Sequence, residues 1–547
     1  MTTSRSIHAL LAAICIAAPL AAQAATEQQS LEELRNTVVN LLQALVEQGV
    51  MTREKAQSLV KQAQDKASAD AAASAQADAG AIRVPYVPQP VRAQISKEVA
   101  AEVGPQVVED VVARAKQEGW GVPGALPDWL GRVRVGGELK LRYESDLYAH
   151  DNVPDVYLNY QAINMAGGTT KAGINAFTNV EEDRYRLRTR ARIAVESAIS
   201  DSLTAGVRLS TGNLQDPSSE FQTLGNYGSR YQTDFDQIWV RWDARDAQNF
   251  SHLTLTGGRM PGPWLQPTNL VFYQELQFEG VAATTRLGFG DGSAGQSHAF
   301  LTLGALPIQE VALSTRDKWL LGAQLGTALG SEDGQRLRLA AAYYNFKNVQ
   351  GVRNAFGQVD QDFTAPPWVQ QGNTMYDIRN DLDPATNLFA LASKFQIVDL
   401  SVAYDLPVGG HTFSLAGDIV RNVGFHQSEV EALTGFPVPK RNKGYQLEAG
   451  FGDRRLGALG RWRATLGYRY LERDAVLDAW TDTDFHEGGT DAKGYYFVGD
   501  LGLGVHVWAR LRYLSANAID GPAGVVVSQG PPKYGVDVLQ LDLITDF

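Results

Sequence analysis

The chain has 547 residues, a net charge of −12, 53 glycines, 20 tyrosines and 10 tryptophans, and only 20% of its residues are charged. The acidic balance speaks against a nucleic acid as partner, because proteins that bind phosphate backbones are basic. The single cysteine, Cys15, lies in a leader-like segment, so the rest of the chain has no disulfide, no thiolate metal site and no cysteine nucleophile.

Residues 1–24 read as a secretory signal peptide. Arg5 supplies the positive start, Ala9 to Ala22 is uncharged and apolar, and Ala22-Gln23-Ala24 fits a small-x-small cleavage site. A lipoprotein reading fails because Ile14, before Cys15, is not small. Beyond residue 24 no apolar run approaches the roughly 18 residues of a spanning helix. Residues 25–120 are helical in pattern. Leu31, Leu34, Val38, Leu41 and Leu45 form a narrow stripe, Gly49 offers a left-handed stop, and Thr52 caps a second helix. A coiled coil and a small packed hairpin both satisfy that stripe. Ala67 to Ala81 is low in complexity, and the prolines of 84–90 enforce an extended strap. Residues 121–130 are a Gly/Pro hinge.

From residue 131 to Phe547 the period switches to two. Sixteen strands are predicted, near 131–144, 183–197, 202–212, 231–244, 250–259, 274–287, 297–306, 317–328, 335–347, 388–405, 411–422, 442–453, 461–473, 493–502, 504–517 and 535–547. Short connections alternate with long ones. An even strand number with that alternation predicts an all-β transmembrane barrel of about 16 antiparallel strands, preceded by an N-terminal α-helical periplasmic segment. The competing architecture is a secreted soluble sandwich or solenoid. The last strand puts Leu539, Leu541, Leu543, Thr545 and Phe547 on one face, and Phe547 is the expected barrel-closing terminus.

Side-chain alternation assigns faces. Arg184, Arg186, Arg188, Arg190 and Arg192 share one side of the second strand. Arg132, Arg134, Glu138, Lys140 and Arg142 share one side of the first. Arg461, Arg463, Arg469 and Arg473 form a third row, and His506, Arg510 and Arg512 a fourth. Arginine facing lipid costs about 2–4 kcal/mol near the midplane, so these rows are expected to line an aqueous lumen. Acids placed on the lining are Glu138, Asp243 (in line with Gln237 and Arg241), Glu275 and Glu279, with Leu276 and Phe278 outward. Basic and acidic walls set a transverse field. The bland alternative is that the charges pair and fill a plugged barrel.

One connection stands apart. Residues 260–273 hold Pro261, Pro263, Trp264, Pro267, Phe272 and Tyr273, too apolar for an ordinary exposed loop. A loop folded inward as a constriction is expected, against packing on the rim or a neighbouring subunit. The acidic run Asp482 to Glu487 lacks the spacing of a calcium loop and reads as solvated. Neither metal nor cofactor is expected. Hydrolase, zinc-protease and dinucleotide motifs are absent, so the chain does not read as an enzyme.

Gly124 to Glu144, Gly258-Arg-Met-Pro261 with Gln277-Phe-Glu-Gly-Val281, and the hairpin around Gln48 to Glu54 together resemble a bacterial putative-porin family, from about residue 30 to the end. The resemblance implies a sixteen-stranded, trimeric outer-membrane porin with a periplasmic helical extension. It supplies no solute. The expected function is passive diffusion of small hydrophilic solutes across a Gram-negative outer membrane, with mild anion preference. Alternatives are a channel selective for phosphate or organic anions, an embedded hydrolase, and a structural tether. Expected partners are outer-membrane lipid and lipopolysaccharide, two further copies in a homotrimer, the barrel-assembly machinery through the C-terminal strand, and cell wall through the helical segment.

Overall fold

The computed structural model describes residue 61 and residues 130–547, apart from 213–215, 220, 290–296, 313, 332, 384, 526, 528 and 529. The leader, the helical segment with its strap, and the hinge before Leu130 lie outside the described residues apart from Lys61. A 3-10 turn, Leu130–Arg132, enters β1 (Val133–Tyr148). There follow β2 (Arg184–Ala198), β3 (Leu203–Thr211), β4 (Thr233–Arg245), β5 (Ser251–Pro261), β6 (Gln277–Gly288), β7 (His298–Gln309), β8 (Lys318–Gly330), β9 (Arg336–Lys347) and β10 (Phe395–Val408). The series ends with β11 (His411–Asn422), β12 (Lys443–Gly452), β13 (Trp462–Leu471), β14 (Ala492–Gly502), β15 (Val507–Ala518) and β16 (Gly535–Asp546). Each pairs antiparallel with its chain neighbours, and β1 also pairs with β16. These sixteen strands close a barrel. A two-residue piece, Gln222–Thr223, adds to the edge of β2 where β3 is too short to reach.

Closure leaves no free edge, which a membrane demands because lipid cannot satisfy backbone donors. The last residue completes the seam. Phe547 donates its N–H to Gly137 O at 3.1 Å and accepts from Gly137 N at 2.9 Å. Gly137 has no side chain because the Phe547 ring occupies that space: a Cβ there would sit 2.3 Å from it.

The outer face follows the lipid rule. Leu139, Leu141, Leu187, Leu325, Leu400, Ile419, Leu466 and Leu541 are exposed, while Lys140, Arg142, Arg190, Gln324, Asp418 and Gln540 are buried inside. Turns at one end are short, such as 199–202, 331–335 and 409–410; connections at the other end are long, such as 149–183, 348–394 and 472–491.

Several long connections fold back into the barrel. For brevity, residues 212–232 are the second loop, 262–276 the third, 348–394 the fifth and 472–491 the seventh. Trp264, Leu270 and Phe272 of the third loop, and Val476 and Leu477 of the seventh, join inward side chains of β8 to β11 in one buried cluster with Leu320, Tyr344, Phe346, Phe395 and Ile397. Ring contacts knit it: Trp264 to Tyr344 at 5.2 Å, Phe272 to Phe278 at 5.2 Å, Phe346 to Trp480 at 5.4 Å. One sector of the lumen thus holds an apolar core, with a cavity of about 470 Å³ against it lined by Leu276, Phe278, Trp368, Leu391 and Trp480 among others. The charged strands β13 to β16, β1 and β2 wall the other sector.

Candidate functional site

The register of β1 on β2 decides the electrostatics. Opposed pairs are Glu138 with Arg192, Lys140 with Arg190, Arg142 with Arg188, Glu144 with Arg186, and Asp146 with Arg184. The two central rungs set cation against cation, an arrangement that is destabilising by itself. Counter-charge must come from elsewhere, and three elements deliver it. Asp542 of β16 accepts from Arg142 Nε at 2.7 Å and Nη2 at 3.0 Å, a bidentate pair. Glu275, at the end of the third loop, accepts from Arg190 at 3.1 Å and Arg192 at 2.7 Å. Asp484 of the seventh loop accepts from Arg142 Nη1 at 3.1 and 3.2 Å and from Arg512 Nη1.

Phe221 of the second loop lies across the same two rungs. Its ring centre is 4.2 Å from Arg142, 5.1 Å from Arg188, 5.4 Å from Arg190 and 5.7 Å from Lys140. Each such contact is worth about 0.5–1 kcal/mol at partly exposed sites. Arg188 also donates to Glu144 at 3.2 Å and Ser219 at 3.2 Å. Arg512 donates to Gln540 at 2.8 Å, and Arg469 to Gln446 at 2.7 Å.

Two polar cavities flank this cluster. One of about 420 Å³, toward the long loops, is lined by Glu144, Arg186, Arg188, Gln371, Asp484 and Glu487, among others. The other, of about 500 Å³, is lined by Lys140, Arg142, Glu275, Arg463, Arg510 and Arg512, among others. Asp484 and its guanidiniums stand between them.

The third loop crosses the lumen. Leu265 N donates to Gln324 Oε1 at 2.7 Å, and Gln324 Nε2 donates back to Leu265 O at 3.0 Å. Thr268 N donates to Asp418 at 3.1 Å, and its hydroxyl bonds the same carboxylate. Gly304 and Gly322 make room for the Trp264 indole, since a Cβ at either would fall 2.8 or 2.5 Å from it. Pro263, Trp264, Pro267, Phe272 and Tyr273 therefore lie within the barrel, whereas Pro261 ends β5 and is exposed.

The structure places several residues differently from the sequence reading. Glu279 is on the outer side of β6, more than half exposed, and pairs with Arg259 at 2.7 Å. Leu276 and Phe278 point inward, into the apolar core. The faces of this strand are reversed because the sector it borders is filled with hydrocarbon. Glu275 lies off the strand, on the third loop, and reaches the basic wall. Arg132 and Arg134 are exposed at the start of β1; Arg461 is in the turn before β13, paired with Asp453 at 2.9 Å; Arg473 lies beyond β13 and is buried. His506 is exposed in a turn, 2.9 Å from Asp546. Arg184 is half exposed, 3.8 Å from Glu487. Asp243 is buried, held by Thr254 at 2.8 Å and Arg245 at 3.1 Å.

The acidic run of the seventh loop is the largest correction. It was expected in solvent. Asp482, Asp484, Phe485 and His486 are instead buried inside the barrel. Asp482 approaches Arg469 at 3.4 Å, and Glu487 accepts from Tyr148 at 2.7 Å and Tyr534 at 2.6 Å. Burial alone would raise the Asp484 carboxyl, but Arg142, Arg512 and Arg188 hold it well below the usual carboxylate range. Elsewhere in this loop burial wins: Asp474 is pushed up to about 6 and Asp478 to about 8, while the His486 imidazole is pushed down to about 4. Asp491, also buried, is pushed up to about 7. His486, Glu487 and Asp491 adopt left-handed backbone (φ 57°, 56° and 59°), each costing about 1 kcal/mol or more.

Carboxylates that the sequence reading left unassigned to the lining include Glu144 and Asp146 on β1 and Asp500 on β14; Asp542 on β16 was on the polar face by alternation, with no partner assigned. Asp500 serves Arg463 at 3.3 Å and Arg510 at 2.6 Å. With these counted, the basic rows are largely neutralised.

A family model described as "putative porin" matches residues 35–547. Among curated proteins no sequence matches. Solved structures similar to this chain include OprB of Pseudomonas putida, at 8% identity and a TM-score of 0.43, covering 77% of this chain and 96% of that one. The anion-selective porin of Comamonas acidovorans is similar at 10% identity and a TM-score of 0.39, covering 76% and 99%. OmpT of Vibrio cholerae, in its in-vitro folded trimer form, is similar at 7% identity and a TM-score of 0.37, covering 76% and 99%. With the family matched over nearly the whole chain and the sixteen strands closed, the chain belongs to the putative-porin family: it is an outer-membrane β-barrel channel rather than an enzyme.

Proposed function

We propose that the channel admits small hydrophilic solutes by passive diffusion, through the charged sector alone, with a modest preference for anions. The observation that carries this reading is the pair of polar cavities on either side of the Arg142–Asp484 cluster, set against an apolar core whose own cavity is lined mainly by hydrocarbon in the other sector. Lys140, Arg142, Arg186, Arg188, Arg190, Arg192, Arg463, Arg469, Arg510 and Arg512 are the basic lining, with Glu138 and Glu275 as acids. The preference is modest because Asp542, Asp500, Glu144 and Asp484 offset most of the guanidiniums, and screening limits distant charges to about 8–10 Å at physiological salt.

The third loop acts as one constriction and the tip of the seventh as another. The short turns face the periplasm, together with the N-terminal segment, and the working unit is a homotrimer. A second reading, a channel selective for phosphate or organic anions, is favoured by one observation: Arg142 and Arg512 converge on a single carboxylate, within the field of Arg188. Single-channel recording in planar bilayers tests the proposal. A stable open conductance with a reversal potential slightly on the chloride side in a KCl gradient is expected. Absence of conductance would leave a structural role, and a clear cation preference would mean that the acids dominate the narrowest point.

A further inference from the structure

Within the charged sector, the way Asp484 is held stands apart. Arg142 and Arg512 are fixed from behind by the wall. Arg142 is clamped by Asp542 through Nε and Nη2, and Arg512 is held by Gln540 at 2.8 Å. Arg142 keeps Nη1 clear of Asp542, Arg512 Nη1 is shared with Gln540, and both Nη1 groups are taken by one carboxylate. That carboxylate comes from a loop, and not from the wall. Four guanidiniums, Arg142, Arg186, Arg188 and Arg512, face three wall carboxylates here, Asp542, Asp146 and Glu144 (3.5 Å from Arg142), which leaves one positive charge over. Planar guanidinium forks of this kind match any oxyanion, because both carboxylate and phosphate present paired oxygens.

The loop that brings Asp484 is held there at a cost. Glycines 488 and 489 follow the acidic tip in left-handed backbone, and His486 and Glu487 before them share that conformation without being glycine. His486 Nδ1 is buried and has no hydrogen-bond partner. A segment with strained backbone and an unsatisfied polar atom is poised to give up its seat when a competitor offers the same contacts.

From this geometry we infer that Arg142 and Arg512, with Arg188 beside them, form a binding seat for the oxyanion group of a permeating solute, and that Asp484 occupies this seat in the resting channel as an internal surrogate. The inference rests on the diffusion-channel reading above. A carboxylate or phosphate entering from either cavity competes with Asp484 for the two Nη1 groups. The seat then binds it transiently and slows the flow of small ions. A tethered competitor acts at an effective concentration in the millimolar range or above, so its removal should raise the apparent affinity for a free oxyanion by about tenfold or more.

The test uses the full-length protein in planar bilayers with KCl on both sides and potassium succinate or potassium phosphate added. The wild-type channel is expected to show concentration-dependent block by an oxyanion. In Asp484→Asn the block should shift to about tenfold lower concentration, and the reversal potential should move toward chloride. Asp484→Glu, with the charge kept on a longer side chain, should fall between the two. Arg512→Gln should abolish the block, and this arm decides the matter even if Asp484→Asn does not assemble. Block by succinate alone, by phosphate alone or by both supports the seat and names the source of the oxyanion. A conducting wild type that neither succinate nor phosphate blocks, or a block untouched by Arg512→Gln, overturns the inference while leaving the channel reading intact. A wild type that does not conduct overturns the channel reading itself, and the seat with it.

Discussion

The apolar core inside the barrel is what keeps the third loop across the lumen, and Trp264→Ala tests it. The indole is 7% exposed, packs edge-on to Tyr344 at 5.2 Å, and rests over Gly304 and Gly322. Removing a buried Trp costs about 3–5 kcal/mol. The rest of the hold on this arm is the Leu265–Gln324 pair and the Thr268–Asp418 contacts, each worth about 1 kcal/mol net, together with the buried Leu270 and Phe272. The substitution thus removes a substantial part of the local anchorage and leaves Leu270 and Phe272 in place. At about 1.4 kcal/mol per decade, opening of the arm becomes roughly two to three and a half orders of magnitude more frequent. Leu270 is fully buried, so a cysteine there reports opening. The rate of labelling by a small water-soluble thiol reagent should be about a hundredfold or more higher in Trp264→Ala/Leu270→Cys than in Leu270→Cys alone. Single-channel conductance should rise with it. The outward Leu325→Ala should change neither. A labelling ratio below about threefold, in a variant whose barrel still migrates as a folded band, would show that the core does not hold the loop.

Four further outcomes follow from the charged sector and the outer face. Arg188→Cys should label rapidly with a charged thiol reagent in intact membranes and Leu187→Cys should not; the opposite result reverses the face of β2. Glu275→Gln leaves Arg190 and Arg192 without their loop carboxylate, so reversal potentials should move toward chloride, whereas Glu279→Gln, on the outer side, should leave them unchanged. Leu541→Arg, facing lipid, should cost about 2–4 kcal/mol and reduce the yield of folded barrel in lipid. The pH dependence follows from burial: Asp474, Asp491 and Asp478 have carboxyls raised to about 6, 7 and 8, so docking of the seventh loop is fully supported below the ordinary carboxylate range and weakens as pH rises through those values. Neutral His486, lowered to about 4, opposes this by favouring docking until pH falls from its ordinary value through about 4. Conductance should therefore rise from pH 6 to 8.5, and Asp478→Asn should flatten the upper part of that rise.

The sixteen strands were legible because one physical rule governs them. Outer residues must be apolar and alternation is strict, so Leu139 against Lys140 or Leu541 against Asp542 reads in only one way. The third loop was legible for a related reason: Trp264 and Phe272, stiffened by Pro263 and Pro267, have no stable place in water. The rule failed on β6. There the lumen itself is apolar, so Phe278 belongs inside and Glu279 outside, and alternation cannot tell the two apart. It failed again on the seventh loop, where Asp482, Asp484 and Glu487 look like solvent-exposed acids. Their burial follows from the register, which opposes Lys140 to Arg190 and Arg142 to Arg188. The only trace of this in the sequence is the surplus of arginines on the first two strands over acids to match them.

That surplus explains why the barrel needs its loops folded in. A wall carrying two adjacent cation–cation rungs is unstable in an empty lumen, and water alone screens such rungs only partly at these distances. Supplying all counter-charge from the wall would fix neutrality permanently and leave no site for a solute. Supplying part of it from loops, through Glu275 and Asp484, neutralises the resting lumen with groups that sit on separate segments. The apolar core then does a different job from that of an ordinary protein interior. It holds the third loop and the base of the seventh against β8 to β11, so that the acidic tips reach the basic wall at fixed positions. On this reasoning core and charge cluster are coupled. Loosening the core at Trp264 should weaken the contact of Glu275 with Arg192, and the double variant Trp264→Ala/Glu275→Gln should shift the reversal potential by less than the sum of the two single shifts. Strict additivity of the two would mean that the loops are held independently and that the coupling does not exist.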